Sequence, residues 1–122
     1  MDMPRLENAL RQLPADTLLT EIPEIQNSIK HLLKSNDEMR EYDPEGKDRD
    51  LIEAVEENIE LMRRHEIRID VTLRIIKERL GEAAFFEVKS NVDAFRKEYP
   101  TGVTTAKKEE EKDKAIEEGV FL

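Results

Sequence analysis

From Leu18 onward, apolar side chains recur at alternating spacings of four and three: Leu18, Ile22, Ile25, Ile29 and Leu32, with Asn36 and Met39 in the same phase. A stripe with that rhythm holds one helix face against another helix over several turns. The rhythm stops at residues 42–48 (YDPEGKD) and restarts in Ile52, Val55, Ile59, Met62, Glu66, Ile69, Leu73, Ile76 and Leu80. The Pro44-Glu45-Gly46 turn between the two runs folds the second back on the first. The chain thus encodes its own partner, and the expected fold is all-α: an antiparallel, coiled-coil-like helical hairpin. Pairing across that turn places Asn36 near Val55, Ile29 near Met62 and Ile25 near Glu66.

Four helices are expected, over about 4–13, 16–41, 48–80 and 82–99. The first is a short amphipathic element carrying Leu6, Ala9, Leu10 and Leu13, with Glu7 and Arg11 as an i,i+4 pair, and Pro14 ends it. Asp16 is the expected N-cap of the second helix. Pro23 conflicts with a helix interior, so a kink there, or a helix that begins near Thr20, is expected. The third has no glycine or proline, would span ~50 Å, and stops at Gly81. Within it Ile67, Ile69, Val71, Leu73 and Ile75 alternate with polar residues, as a half-buried strand would. No turn signal precedes the segment, no second strand is available to pair with it, and the seam runs through it in register. These three points favour helix, with several apolar faces that more than one neighbour must cover. One such neighbour is the stripe Phe85, Val88, Val92, Phe95 and Tyr99. Residues 1–99 are read as one helical domain. Residues 100–122 are read as a disordered, charge-rich tail ending in the apolar Val120, Phe121 and Leu122.

Composition limits function. Of the 122 residues, 40% are charged and 5% aromatic, which suits long solvated helices and leaves little for an enclosed substrate cavity. A net charge of −9 opposes direct nucleic-acid binding, because phosphate contacts need a basic stripe. With no cysteine, disulfides and thiol chemistry are excluded, and no signal-peptide or membrane-spanning pattern is seen. A cytoplasmic location is expected, with the nucleus as a second compartment.

No arrangement of residues supports catalysis, a cofactor or a metal. His31 and His65 are the only histidines, and His65-Glu66 does not continue into a metal-binding H-E-x-x-H. Glu56, Glu57 and Glu60 fall on a solvated helix face, whereas acid–base work needs paired groups in a dry cleft. Two features could instead bind a partner. Leu19 and Leu33 flank the seam, where either the third amphipathic helix or a partner would cover them. Val120, Phe121 and Leu122 could be held as a free C-terminus, or could reflect composition alone. Asn36 in the seam reads as a register-fixing polar residue. Glu66 is expected to lean outward or to find a cation such as Arg63 or Lys30.

Residues 24–36 (EIQNSIKHLLKSN) resemble a motif of the fungal ATPase-dedicated proteasome-assembly chaperones, the translation-machinery-associated proteins. The motif reads I-x-N-S-I-x-H-L-x-x-S-N, and the match falls on Ile25, Asn27, Ser28, Ile29, His31, Leu32, Ser35 and Asn36. Leu6, Ala9, Leu10, Leu13 and Asp16 fall where that family has a similar short element, and Val120-Phe121-Leu122 looks like its C-terminus. Pro23 and the 85–99 segment depart from the pattern. The resemblance implies a non-catalytic chaperone without cofactors. Its client would be the N-terminal coiled-coil region of one regulatory-particle AAA ATPase subunit, whose pairing with a neighbour it would favour before leaving. Asn27, His31 and Lys34 project on the outward face of the second helix with Leu33 beside them, and these residues are the expected partner surface. The rival readings are a ribosome- or translation-associated factor and a structural coiled-coil adaptor. A monomer is expected for the chaperone and a homodimer for the adaptor.

Overall fold

Asp43 builds the turn on which the hairpin depends. Its carboxylate accepts the backbone N–H groups of Lys47 (3.1 Å) and Asp48 (2.9 Å), its carbonyl accepts from Gly46 N–H at 3.0 Å, and Gly46 supplies a φ of +67°. Asp48 then caps the next helix, accepting the N–H groups of Asp50 and Leu51 at 3.0 and 3.3 Å. The computed structural model describes residues 3–103. Within them the chain forms α1 (Met3–Arg11), α2 (Ala15–Tyr42), α3 (Arg49–Leu80) and α4 (Glu82–Glu98), and the described residues contain no strand. The all-α hairpin is thus the observed architecture, and residues 67–75 are helical. The expected tail beyond residue 103, with Val120, Phe121 and Leu122, lies outside the described residues.

Two local expectations are corrected. The N-cap position of α2 is Pro14, whose carbonyl accepts Leu18 N–H at 2.9 Å. Asp16 instead sits in the first turn, where its carboxylate accepts Thr17 N–H at 2.8 Å and complements the helix dipole. A helix that begins near Thr20 is the alternative overturned for Pro23, which lies inside α2 as it runs from Ala15 to Tyr42. Ile22 and Ile25, either side of it, are both buried, so tertiary packing outweighs the lost backbone hydrogen bond.

Helix α3 is the axis of the fold: α2, α1 and α4 all pack against it. The apolar faces foreseen on its C-terminal half are covered accordingly, with Ile69, Val71, Ile75 and Ile76 at 1% exposure or less. Opposing them are Leu10 of α1, Leu18 and Ile29 of α2, and Val92 of α4, all fully buried. Each such side chain contributes about 1.5–3 kcal/mol relative to full exposure. The core is therefore concentrated at the open, or base, end of the hairpin.

Polar contacts fix the two outer helices to this base. Arg11 forms a forked pair with Glu78 (2.7 and 3.2 Å), Arg74 pairs with Glu7, and Arg79 donates to the Leu13 carbonyl at 2.7 Å just beyond the end of α1. The pair raises the Arg11 pKa and lowers that of Glu78, chiefly through their hydrogen bond. Gly81, at φ +98°, ends α3 and starts α4, and its N–H reaches the Lys77 carbonyl. Lys77 lies over the Phe85 ring, 5.0 Å from its centroid.

Candidate partner-binding surface

Whether α2 has a free surface depends on how tightly its inner face is locked. Across the hairpin Asn58 Nδ2 donates to Asn36 Oδ1 at 2.8 Å, and Arg68 meets Glu21 at 3.0 Å. Asn36 thus finds its hydrogen-bond partner in Asn58, one turn along α3 from Val55. Asn36 is 2% exposed, so an apolar partner would have left its amide unpaired, while Asn58 satisfies it. The register role expected of Asn36 falls to this amide pair.

Glu66 does not lean outward, nor does it use Arg63 or Lys30. It is buried, and Arg96 of α4 supplies the cation: Arg96 Nε donates to Glu66 Oε1 at 2.7 Å, and its Nη2 reaches Asp70 at 3.0 Å. Arg63 pairs with Glu60, and Lys30 sits over the Tyr99 ring, 5.3 Å from its centroid. Burial alone would lower the Arg96 pKa, but the charges of Asp70 and Glu66 outweigh it and raise it above the ordinary value. Thr101 Oγ1 donates to the second Glu66 oxygen at 3.4 Å, and Val103 packs on the core. The chain beyond α4 thus returns to the hairpin at Thr101 and Val103. Neither Asn58 nor Arg96 was singled out from the sequence. The signal for Arg96 was present, since Glu66 required a cation and Arg96 lies four residues after Val92 on the stripe that faces α3.

With its inner face committed, α2 presents Asn27, His31 and Lys34 as exposed residues on its outer side. Leu33 is half-buried and packs against the core, so the fold covers part of it, whereas Leu19 stays 39% exposed. Val120, Phe121 and Leu122 cannot be related to this surface, as they lie outside the described residues. His65 is half-buried, and its pKa is lowered by burial and then by the charge of Arg68, partly opposed by Glu66. Among the described residues no group of three or more His, Asp or Glu side chains could hold a metal ion, and no helix is long and apolar enough to cross a membrane.

The family model described as TMA17 helical domain matches residues 2–82, which include α1, the whole hairpin and Gly81. This chain belongs to the TMA17 family. The matched segment holds every candidate residue on the outer face of α2 and stops where α4 begins. The family is one of non-catalytic helical chaperone domains associated with proteasome assembly. Comparison with curated proteins and with solved structures gave no match.

Proposed function

We propose that this chain is an assembly chaperone for the proteasome regulatory particle. It binds the N-terminal coiled-coil region of one AAA ATPase subunit, favours that subunit's pairing with its neighbour, and leaves before the base is complete. The observation that carries the reading is the division of α2 into two faces. The inner face is closed by α3, while Asn27, His31 and Lys34 stand exposed in a row that packing does not require. A preformed helix whose polar row is flanked by the exposed Leu19 and the partly covered Leu33 can lie along an unpaired coiled coil, the leucines meeting its apolar seam and the polar row its flanks, until the proper partner arrives. Membership of the TMA17 family supports the same client class.

In this reading the chain works as a monomer in the cytoplasm and nucleus, because its own hairpin already satisfies the seam that a homodimer would use. The net charge of −9 disfavours a role that depends on holding ribosomal RNA.

The test is capture from a fungal extract by the full chain, read by mass spectrometry, beside the triple variant Asn27→Ala, His31→Ala, Leu33→Ala. Helicity at 222 nm verifies that the variant is folded. The wild-type chain should retain one ATPase subunit and the variant should lose it. Equal capture by both would show that this surface is the wrong one. Recovery of ribosomes in place of an ATPase subunit, stable to high salt, would replace the chaperone reading with the translation-associated one.

A further inference from the structure

The two ends of the hairpin are built differently. At the base, four helices enclose the buried core. Towards the turn, past Asn36 and Asn58, only α2 and α3 remain, and no residue between 37 and 57 is buried. The seam side chains Met39, Leu51 and Val55 stay half-covered, and Ile52 is 38% exposed. Together they form the apolar floor of an open groove of about 420 Å³, rimmed by Arg40, Asp43, Glu45 and Glu56. Tyr42, next in sequence to the rim, is 82% exposed, the highest value among the exposed large hydrophobic side chains described.

Charge is concentrated at this same end. Residues 37–57 hold ten carboxylates against Arg40, Lys47 and Arg49, a net −7, whereas the whole chain carries −9. Resting on the chaperone reading above, we propose that the groove at the hairpin tip is the docking site for a basic, amphipathic helix of the partner protein. Its apolar side chains would seat on Met39, Leu51, Ile52 and Val55, and its lysines or arginines would meet the acidic rim.

The occupant follows from the charge. A second copy of this chain would bring one net −7 tip against another. Residues 104–122, the segment of this chain outside the structure, carry six carboxylates against four lysines and are repelled too. Nucleic acid is excluded on the same ground. A cationic helix is attracted, gains from burying its apolar face, and can place an arginine against the exposed Tyr42 ring. Tyr42 lies eleven residues beyond His31. At about 100° per residue it falls on the same outer side of α2, so one extended helix could engage both the tip and the Asn27–His31–Lys34 row.

The probe is a three-heptad synthetic helix with leucine at the seam positions and lysine or arginine on the flanks. Its controls are a scrambled peptide of identical composition and a leucine–glutamate counterpart. Each is titrated into the full ¹⁵N-labelled chain, with binding read from amide shifts. The basic amphipathic helix should saturate and shift amides within residues 39–56. The scrambled peptide should bind roughly tenfold more weakly and the acidic one not at all. Ile52→Ser, and separately the pair Glu45→Lys with Glu56→Lys, should each weaken binding roughly tenfold, since these exposed positions contribute little to the fold. Equal binding of the scrambled peptide, or shifts confined to α1 and α4, would overturn the inference. If the peptide seats at the tip but the chain captures no ATPase subunit, the chaperone reading fails and the docking site stands. If a subunit is captured but the peptide does not seat, the reverse holds.

Discussion

Replacing Arg96 with alanine tests whether α4 is an integral part of the hairpin fold. The substitution leaves Glu66, whose side chain is 8% exposed, without its guanidinium, and leaves Asp70, one turn further on the same helix, repelling it. Removing one partner of a fully buried ion pair costs about 3–5 kcal/mol. Arg96 keeps 32% of its side chain exposed, so solvent screens part of the loss, and about 2 kcal/mol is expected. In a domain of this size that corresponds to a fall of about 10 °C in Tm. Urea denaturation followed at 222 nm would show the transition midpoint falling with its slope unchanged. The double variant Glu66→Leu, Arg96→Leu removes both charges and keeps the space filled, so it should regain most of the loss. A single variant within about 0.5 kcal/mol of wild type, or a double variant as unstable as the two singles added together, would refute the reasoning.

Asn36→Leu alone strands the Asn58 amide and should destabilise, whereas replacing both Asn36 and Asn58 with leucine removes the polar pair and should hold or raise stability while loosening register. Cysteines placed at Glu21 and Arg68, in a chain with none of its own, should then form their disulfide in lower yield. Ile75→Ala, at the sealed base, should cost about 2–5 kcal/mol by denaturation, whereas Ile52→Ala at the open tip should cost less than about 1 kcal/mol. His65 has a folded-state pKa below its unfolded value of about 6.5, so as pH falls through that value the unfolded chain takes up a proton that the folded chain resists. Stability should therefore decline from pH 7.5 to 5.5, and His65→Gln should flatten that decline, as read from urea midpoints.

Much of the fold is legible in the residues because the strongest signal, a seam repeating every seven residues, is also what stabilises it. Ile22 to Ile29 and Met62 to Ile76 are buried where that period puts them. The alternation over residues 67–75 is ambiguous until α3 is recognised as the axis that three helices share, which gives each of its faces a neighbour. A late start of α2 near Thr20 does not occur because propensity is local, whereas Ile22 and Ile25, either side of Pro23, are buried. Asn58 as the partner of Asn36 is not legible, because seam phase places Asn36 but does not say which polar side chain across the hairpin reaches it. Arg96 carries a signal, as a cation one turn past Val92 on the stripe that faces α3, but the choice of it over Arg63 or Lys30 for Glu66 depends on how α4 packs. The outer row Asn27, His31 and Lys34 was visible from phase alone. The tip groove was not, because the sequence shows which side chains form a seam but not which of them remain uncovered.

Hydrogen exchange of the full chain, alone and mixed in turn with the N-terminal coiled-coil region of each regulatory-particle ATPase subunit, tests the central claim most directly. One subunit should slow exchange across residues 27–42 of α2 and the first turns of α3, with the amides of α1 and α4 unchanged. If no subunit alters exchange anywhere in the hairpin, or if the slowing falls on α1 and α4 instead, the preformed hairpin is not the surface that receives the client.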